Sequence, residues 1–450
     1  MCELFGTDGI RGVAGEYPLD FPTVYKLGKA VVRSGKRSIL IGRDTRTSGL
    51  WIEKALQQAI LSEGGEVTLA DVITTPGVAI LSRNIPFDTG IVVSASHNPY
   101  QDNGIKMFSR NGIKLSDEEE RWIEQAVAGD ANLDPGAKIS EDRNQDEIIA
   151  LNQGLVERYI DFLRAASSVP TLKPLKVVLD CAHGAAFHIA PQLFKKLGAE
   201  VVAINTQPNG RNINHNCGAV YPQQMAQTVL EAQASFGVAF DGDGDRAIFS
   251  DEKGNLLDGD YTLFILARSL QKKGQLESGC VVITVMANKG LEVALQREHI
   301  RTLRTRVGDR FVLAEMLRGN HSLGGEQSGH VIMKAGFFVG DGILSALKIG
   351  NLVLEEGCSL GDLARGLEKF PQVLINVRVR EKPDFSKIAE IQRDIEAAQE
   401  SLGEKGRVVI RYSGTEPLVR VMLEGESAGE INKYAEGIAA RFHEHLGETS

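Results

Sequence analysis

One pattern recurs three times along this 450-residue chain and restricts its fold more than any other feature: a short β-branched strand, a loop, an amphipathic helix and a second strand. In the first copy Ser38-Ile39-Leu40-Ile41-Gly42 reads as a strand, Trp51 to Ser62 as a helix and Glu66-Val67-Thr68-Leu69-Ala70 as the next strand. The second runs from Lys176-Val177-Val178-Leu179-Asp180 through the helix Ile189 to Leu197 to Glu200-Val201-Val202-Ala203-Ile204. The third runs from Cys280-Val281-Val282-Ile283-Thr284 through Gly290 to Glu298 to Thr302-Leu303-Arg304-Thr305. Strand and helix alternating in this way predict mixed, mainly parallel sheets. Each copy is followed by a short apolar strand, a Gly- or Ser-rich polar loop and another short strand, beginning at Gly90 to Ser96, Gly237 to Asp241 and Ser322 to Gly325. Three similar α/β domains, each delivering one polar loop, are the expectation.

The end of the chain breaks the pattern. Val373-Leu374-Ile375-Asn376-Val377 alternates like a strand, Ile388 to Leu402 like a helix, Val408 to Tyr412 and Leu418 to Leu423 like two strands, and Ile431 to Leu446 like a closing helix. This predicts a smaller α+β domain joined near Phe370-Pro371. The expected domains are residues 1–153, 154–251, 252–369 and 370–450. A division of this kind agrees with single cores ceasing to grow beyond roughly 250–300 residues.

A net charge of -9 excludes a general basic field for nucleic acid or an anionic membrane, although local arginines remain available to small anions. No run of apolar residues is long enough to span a bilayer, and the first residues lack a signal-peptide pattern, so a cytoplasmic enzyme is expected. The five cysteines (Cys2, Cys181, Cys217, Cys280, Cys358) are scattered and never form Cys-x-x-Cys, which argues against both a disulfide framework and a zinc site.

The chemistry concentrates in the loops. Asp241-Gly242-Asp243-Gly244-Asp245-Arg246 alternates carboxylates with glycines that let the backbone curl, so the three acids are expected to converge as oxygen ligands for a hard divalent cation, the alternative being a charged hairpin turn. Glu252 completes an EF-hand spacing, but Arg246 stands where that loop needs Gly and strands flank the segment, so an EF-hand is rejected. Ser94-Ala95-Ser96-His97-Asn98-Pro99 ends an apolar strand, with Lys106 close behind. His97, as the sequence neighbour of Ser96, is poorly placed as a triad base, and no nucleophile elbow is present. A serine that carries a phosphoryl group beside a metal fits better, the alternative being an Asx-rich turn before a hairpin.

Arg411-Tyr412-Ser413-Gly414-Thr415-Glu416-Pro417 with Arg420 has the parts of a phosphate cradle. Gly324-Gly325-Glu326-Gln327-Ser328-Gly329-His330 offers hydrogen-bonding groups suited to vicinal hydroxyls, or else a bulged hairpin. The loops Phe5 to Gly12 and Gly42 to Gly49, rich in Arg and Gly, read either as anion-binding segments or as surface turns. Neither a P-loop nor a dinucleotide fingerprint is present, so the phosphate comes with the substrate or from the protein.

Together these loops resemble the α-D-phosphohexomutase superfamily over essentially the whole chain. The resemblance rests on Thr7-Asp8-Gly9-Ile10-Arg11-Gly12, Ser94 to Pro99, Asp241 to Arg246, Gly325-Glu326-Gln327-Ser328-Gly329-His330 and Ser413-Gly414-Thr415-Glu416-Pro417, in that order. The extended run Ile91 to Lys106, Val307-Gly308-Asp309-Arg310 and Gln327 resemble the bacterial branch that acts on glucosamine phosphates.

The resemblance implies a heart-shaped enzyme with one loop from each domain meeting in a central cleft. It implies a phosphorylated Ser96 completing a Mg²⁺ shell, one ion per subunit, with Asp241, Asp243 and Asp245. Lys106, Arg246 and His97 would act beside the transferring phosphoryl, Lys106 as a general acid/base. Thr7, Arg11, Asp309, Arg310, Glu326, Ser328 and His330 would contact the substrate, while Arg411, Ser413, Gly414, Thr415 and Arg420 would hold the phosphate that is not being transferred. Tyr412 departs from the family pattern, where Pro is frequent.

The implied reaction is an isomerisation of glucosamine 6-phosphate to glucosamine 1-phosphate through a 1,6-bisphosphate, which also serves as activator. The implied partner is a small hexosamine phosphate, with neither nucleic acid nor membrane, and the implied assembly is a monomer or homodimer. The alternatives are a phosphomannomutase/phosphoglucomutase of the same fold, or a non-catalytic sugar-phosphate sensor.

Overall fold

Three apolar runs, Thr89–Val93, Phe236–Phe240 and Cys280–Thr284, are buried along their whole length, as strands covered on both faces must be. They sit in three sheets of one design. The computed structural model describes residues 4–6, 8–129, 145–334, 338–413 and 417–447. By contact density the chain forms two units, Met1–Met286 with His299–Arg365, and Ala287–Glu298 with Gly366–Ser450.

The first sheet contains β1 (Ile10–Val13), β2 (Ser38–Arg43), β3 (Glu66–Val72), β4 (Thr89–Val93) and β5 (Asp102–Ser109), in the order β1-β5-β4-β2-β3. The second contains β6 (Lys176–Asp180), β7 (Glu200–Ile204), β8 (Phe236–Phe240), β9 (Ala247–Ser250) and β10 (Leu256–Leu257), in the order β10-β9-β8-β6-β7. The third contains β11 (Cys280–Thr284), β12 (Arg301–Thr305), β13 (Leu323–Gly325) and β14 (Val331–Met333), in the order β12-β11-β13-β14. In each, the first strand of the repeat (β2, β6 or β11) pairs parallel with two neighbours. One of those neighbours (β4, β8 or β13) then turns back antiparallel into β5, β9 or β14. The turn of that hairpin carries the polar loop in every copy.

The repeat extends to single atoms. Gly90, Gly237 and Gly324 are each the second residue of their strand, in register with Leu40, Val178 and Val282 of the neighbouring strand. A Cβ on them would lie 2.2 Å from Ser82 Oγ, 2.3 Å from Met225 Sδ and 2.7 Å from Met316 Sδ. Those side chains belong to the helices Thr75–Asn84, Gln223–Ala232 and Asp309–Gly319, each of which directly precedes its hairpin. Glycine is needed because helix and strand touch there.

The second unit contains β15 (Gln372–Arg378), β16 (Gly406–Tyr412) and β17 (Leu418–Gly425), antiparallel in the order β15-β17-β16. The helices Ala389–Leu402 and Ala428–Leu446 supply Ile391, Ile395, Ile438 and Phe442 to its core, which also takes Val419, Val421 and Leu423 from the central strand. The helix Lys289–Arg297, expected inside the third α/β domain, groups with this unit by contact. Asn288 exchanges hydrogen bonds with both backbone groups of Phe370, and the buried Glu424 accepts from the Lys289 N–H at 3.2 Å.

Candidate active site

The hairpin turn after β4 brings Ser96 to the turn after β8. Ser96 Oγ donates to Asp241 Oδ2 at 2.6 Å, and both residues are buried. Carboxylate oxygens of Asp241, Asp243 and Asp245 all lie within 4.8 Å of one another. Lys106, on β5, reaches this cluster with Nζ 2.9 Å from Asp243 Oδ2 and 3.3 Å from Asp245 Oδ2. A lysine and three carboxylates thus crowd a space closed to solvent.

The electrostatics follow from that crowding. Burial, followed by repulsion from Asp245 and Asp243, pushes Asp241 well above the usual carboxylate range. Burial acts the same way on Asp245, but Lys106 and His330 outweigh it and hold that carboxyl well below its ordinary value. Desolvation likewise opposes the charge on Lys106, yet Asp243, Asp8 and Asp245 keep its pKa well above normal. Asp243 Oδ1 and Asp245 Oδ1 are buried and accept no hydrogen bond. Unsatisfied hard oxygens converging with an acid that resists ionisation suit a divalent cation, which would relieve the repulsion and fill those lone pairs. Glu252 takes no part; it accepts from Ser359 Oγ at 2.8 Å and the Gly361 N–H at 3.1 Å, at the start of the helix Leu360–Leu363.

The other candidate residues of the first unit divide into those at the cluster and those beside it. His97 Nδ1 lies 3.3 Å from Ser96 Oγ, so the ring reaches its neighbour's hydroxyl despite their adjacency. Burial, with Arg246 and Arg11 nearby, lowers its pKa to about 4, leaving the ring neutral. Arg246 donates its N–H to Asp241 Oδ1 at 3.1 Å, and its backbone pairs with His330 of the loop after β13. His330 Nδ1 is 3.6 Å from Asp245 Oδ2; burial disfavours its charge, but Asp245 and Asp309 raise its pKa to about 9. Ser328 Oγ is buried without a hydrogen-bond partner, whereas Glu326 Oε1 accepts from the Gly308 N–H at 3.1 Å.

Arg11 pairs with Asp8, and Asp309 accepts from Lys114 Nζ at 2.8 Å. The guanidinium of Arg310 binds Glu120 at 3.0 and 3.1 Å and Asp117 at 3.2 Å. In the second unit Arg411 and Arg420 face each other across β16 and β17, and burial together with that proximity lowers the Arg411 pKa. Ser413 is buried, and its carbonyl accepts from Lys382 Nζ at 2.6 Å. Thr7, Gly414 and Thr415 lie outside the described residues.

Comparison with known proteins decides the family. Models of phosphoglucomutase/phosphomannomutase domains match in order: α/β/α domain I over residues 3–134, domain II over 157–254, domain III over 258–370 and the C-terminal domain over 374–441. The phosphoglucosamine mutase of Solibacter usitatus is 45% identical, over 99% of this chain and 99% of its own. That of Syntrophus aciditrophicus is also 45% identical, over 99% of this chain and 100% of its own. The chain belongs to the phosphoglucosamine mutases. Solved structures share the fold: a phosphoglucomutase/phosphomannomutase family protein from Burkholderia thailandensis (23% identity, TM-score 0.79, 99% of both chains) is one. Another is the Aspergillus fumigatus N-acetylphosphoglucosamine mutase in complex with GlcNAc-6P and magnesium (19% identity, TM-score 0.64, 98% of this chain and 95% of that one).

In this mutase several residues that sequence reasoning passed over stand beside the site. Thr75 Oγ1 donates to Asp243 Oδ2 at 2.6 Å, and the Thr75 N–H to the Asp243 carbonyl at 2.9 Å. Asp8 lies 3.4 Å from Lys106 Nζ and takes a 2.6 Å hydrogen bond from Lys114 Nζ. The loop after β2 is neither a surface turn nor an anion site, because Arg43, Asp44, Thr45 and Arg46 are all buried. Its arginines are spent inside the protein: Arg43 Nη1 on the Ile148 carbonyl at 2.9 Å, Arg46 Nε on Asp44 Oδ2 at 2.8 Å. Asp8 stood within a recognised loop; Thr75 carried no local signal, since its partner is 168 residues away.

Proposed function

We propose that this mutase interconverts glucosamine 6-phosphate and glucosamine 1-phosphate, with Ser96 as the phosphorylated residue and a hexosamine 1,6-bisphosphate as intermediate and activator. The observation that carries the reading is the 2.6 Å hydrogen bond from Ser96 Oγ into a buried carboxylate cluster that also holds Lys106. A phosphoserine exchanging its group with a sugar hydroxyl needs positive charge and positioning around it, which is what phosphoryl transfer chiefly demands.

In the first half-reaction the sugar hydroxyl oxygen bonds to the phosphorus of phosphoserine, the bond from phosphorus to Ser96 Oγ breaks, and the bisphosphate forms. Lys106, kept protonated by its acidic neighbours, gives a proton to the departing Ser96 Oγ and recovers one from the attacking sugar hydroxyl. After the sugar turns over, its other phosphoryl returns to Ser96 Oγ by the same steps. Asp241, Asp243 and Asp245 would hold Mg²⁺, one ion per subunit, which when bound neutralises charge on the transferring phosphoryl. Arg246 lies beside Asp241 and can face the same oxygens. Glu326, Ser328 and His330 would bind sugar hydroxyls; Ser328, with its buried unpartnered hydroxyl, is ready for one. Arg11, Asp309 and Arg310 belong to the substrate side in this reading, and Arg411, Ser413, Gly414, Thr415, Arg420 and Thr7 to phosphate and sugar recognition. The reading extends to four domains with bounds near 153, 251 and 369, and to a cytoplasmic monomer or homodimer.

Turnover of glucosamine 6-phosphate should be compared with that of glucose and mannose phosphates, with a trace of sugar bisphosphate to keep Ser96 charged. The expected result is a clear preference for the amino sugar. Equal or faster rates on the neutral sugars would overturn the substrate assignment.

A further inference from the structure

Ser96 presents its hydroxyl to Asp241 from a backbone with φ of +53°, a left-handed conformation that a residue with a Cβ adopts only under outside constraint. Glycine would accept that conformation freely but cannot carry a phosphoryl group, so the constraint must come from what surrounds the loop.

Two carbonyl oxygens of the loop, those of Ser96 and Asn98, each receive two side-chain donors. Arg46 Nη2 donates to both, at 2.9 and 2.8 Å. Asn214 Nδ2 donates to the same two, at 2.8 and 3.1 Å. The donors arrive from different sheets, Arg46 from the loop after β2 and Asn214 from the segment after β7. Gly242 closes a third side, since a Cβ there would come within 2.5 Å of the Ser96 carbonyl oxygen.

The other face of the residue is held by the same network. The Ser96 N–H donates to Ser94 Oγ at 2.9 Å, and Ser94 Oγ donates to Asp44 Oδ2 at 2.6 Å. Asp44 Oδ2 is also the counterion of Arg46 Nε, and Arg46 Nη1 goes on to the carbonyls of Asp102, at 3.0 Å, and Pro99. Arg46, Asp44, Ser94 and Asn214 are all buried. Both peptide groups of Ser96 are therefore fixed by charge-assisted or buried hydrogen bonds, which are stiff because no water competes for them.

We propose that Arg46 and Asn214 are positioning residues that clamp Ser96 in its phosphoryl-accepting conformation, acting through the Ser96 and Asn98 carbonyls rather than on the reacting atoms. The proposal rests on Ser96 being the phosphorylated residue. It predicts that loosening the clamp slows transfer to and from Ser96 without altering how the sugar phosphate is held.

Asn214 has a φ of +58°, so Asn214→Gly removes the amide without adding backbone strain, and Asn214→Asp keeps its shape while setting a carboxylate against two carbonyls. Phosphoryl uptake by Ser96 from a sugar bisphosphate is followed by intact mass, alongside kcat and KM for glucosamine 6-phosphate and the melting temperature. Uptake and kcat are expected to fall together, about 10-fold in Asn214→Gly and up to about 100-fold in Asn214→Asp, with KM within about twofold, as a displacement near 1 Å produces. Arg46→Lys keeps the positive charge but has one nitrogen for the contacts that Nε, Nη1 and Nη2 of Arg46 divide among Asp44, Pro99, Asp102, Ser96 and Asn98, and a folded variant should show the same split. Uptake and kcat within twofold of the parent in both Asn214 variants, or a loss confined to KM, would overturn the clamp. A parent chain that takes up no phosphate removes the phosphoserine reading itself, and the clamp with it.

Discussion

Ser96 Oγ donates to Asp241 Oδ2 at 2.6 Å, joining the ends of two strands, β4 and β8, that belong to different sheets. The acid that faces the serine is Asp241, whose carboxyl burial and the neighbouring Asp245 and Asp243 push well above the usual carboxylate range. Removing the hydroxyl leaves the fold its other contacts but takes away the atom proposed to carry the phosphoryl group. Ser96→Ala should lose about 10³-fold or more in turnover, melt close to the parent, and show no added mass after incubation with sugar bisphosphate. Retained turnover would exclude the phosphoserine route.

The carboxylate cluster predicts linked metal and stability effects. A chelator should abolish turnover, and Mg²⁺ should raise the melting temperature, since saturation to about 100-fold above Kd stabilises by about 2.7 kcal/mol. Thr75 orients Asp243 through two hydrogen bonds, at 2.6 and 2.9 Å. Thr75→Val should weaken the metal affinity read from that thermal titration by roughly 10-fold or more, as loss of a ligand's supporting hydrogen bond does. An unchanged titration midpoint would show that Thr75 does not tune the site.

Away from the site, Glu53 is buried with a carboxylate oxygen 3.5 Å from Arg43 Nε. Burial raises its pKa from 4.5 to about 7, more than Arg43 lowers it. The folded state therefore holds a proton that the unfolded chain releases above pH 4.5, and stability should decline as pH rises from about 5 to about 7, then level off. The decline from this group is at most about 3 kcal/mol, because each tenfold difference in proton affinity between the folded and unfolded states is worth about 1.4 kcal/mol. Urea melts at several pH values should show Glu53→Gln gaining on the parent across that window; parallel profiles would refute the account.

The three equivalent glycines set up a parallel test of packing. A methyl group at Gly90, Gly237 or Gly324 would meet a helix side chain at 2.2, 2.3 and 2.7 Å. Each Gly→Ala variant should lose about 1–3 kcal/mol, with Gly90 affected most, because Ser82 is short and its Oγ is tied to the Val78 carbonyl at 2.8 Å, while Met316 can bend aside. Chemical denaturation of the three variants measures the order.

Local pattern was enough to read the repeated units. Short runs rich in β-branched residues and bounded by loops, such as Val177 to Leu179 and Val281 to Ile283, read as buried strands, and the observed β6 and β11 include them. The alternation of Asp and Gly from Asp241 to Asp245 was likewise legible, because the carboxylates of one loop are close in sequence. The buried loop after β2 was not, since its arginines look the same in sequence whether they face solvent or carbonyl groups. The assignment of Lys289–Arg297 by contact to the C-terminal unit was equally invisible, because its helical period says nothing about which core it joins.

The elements, the order of the loops and the chemistry available in each are written in the amino-acid order, because these depend on residues within a few positions of one another. Which groups share a buried space follows from the packing of separate sheets: Ser96 with Asp241, 145 residues apart, Lys106 with Asp243, 137 apart, and Asn214 with the Ser96 carbonyl, 118 apart. The energy of those pairings comes from desolvation and close approach, which no local pattern encodes, since both arise only when separate sheets pack and exclude water.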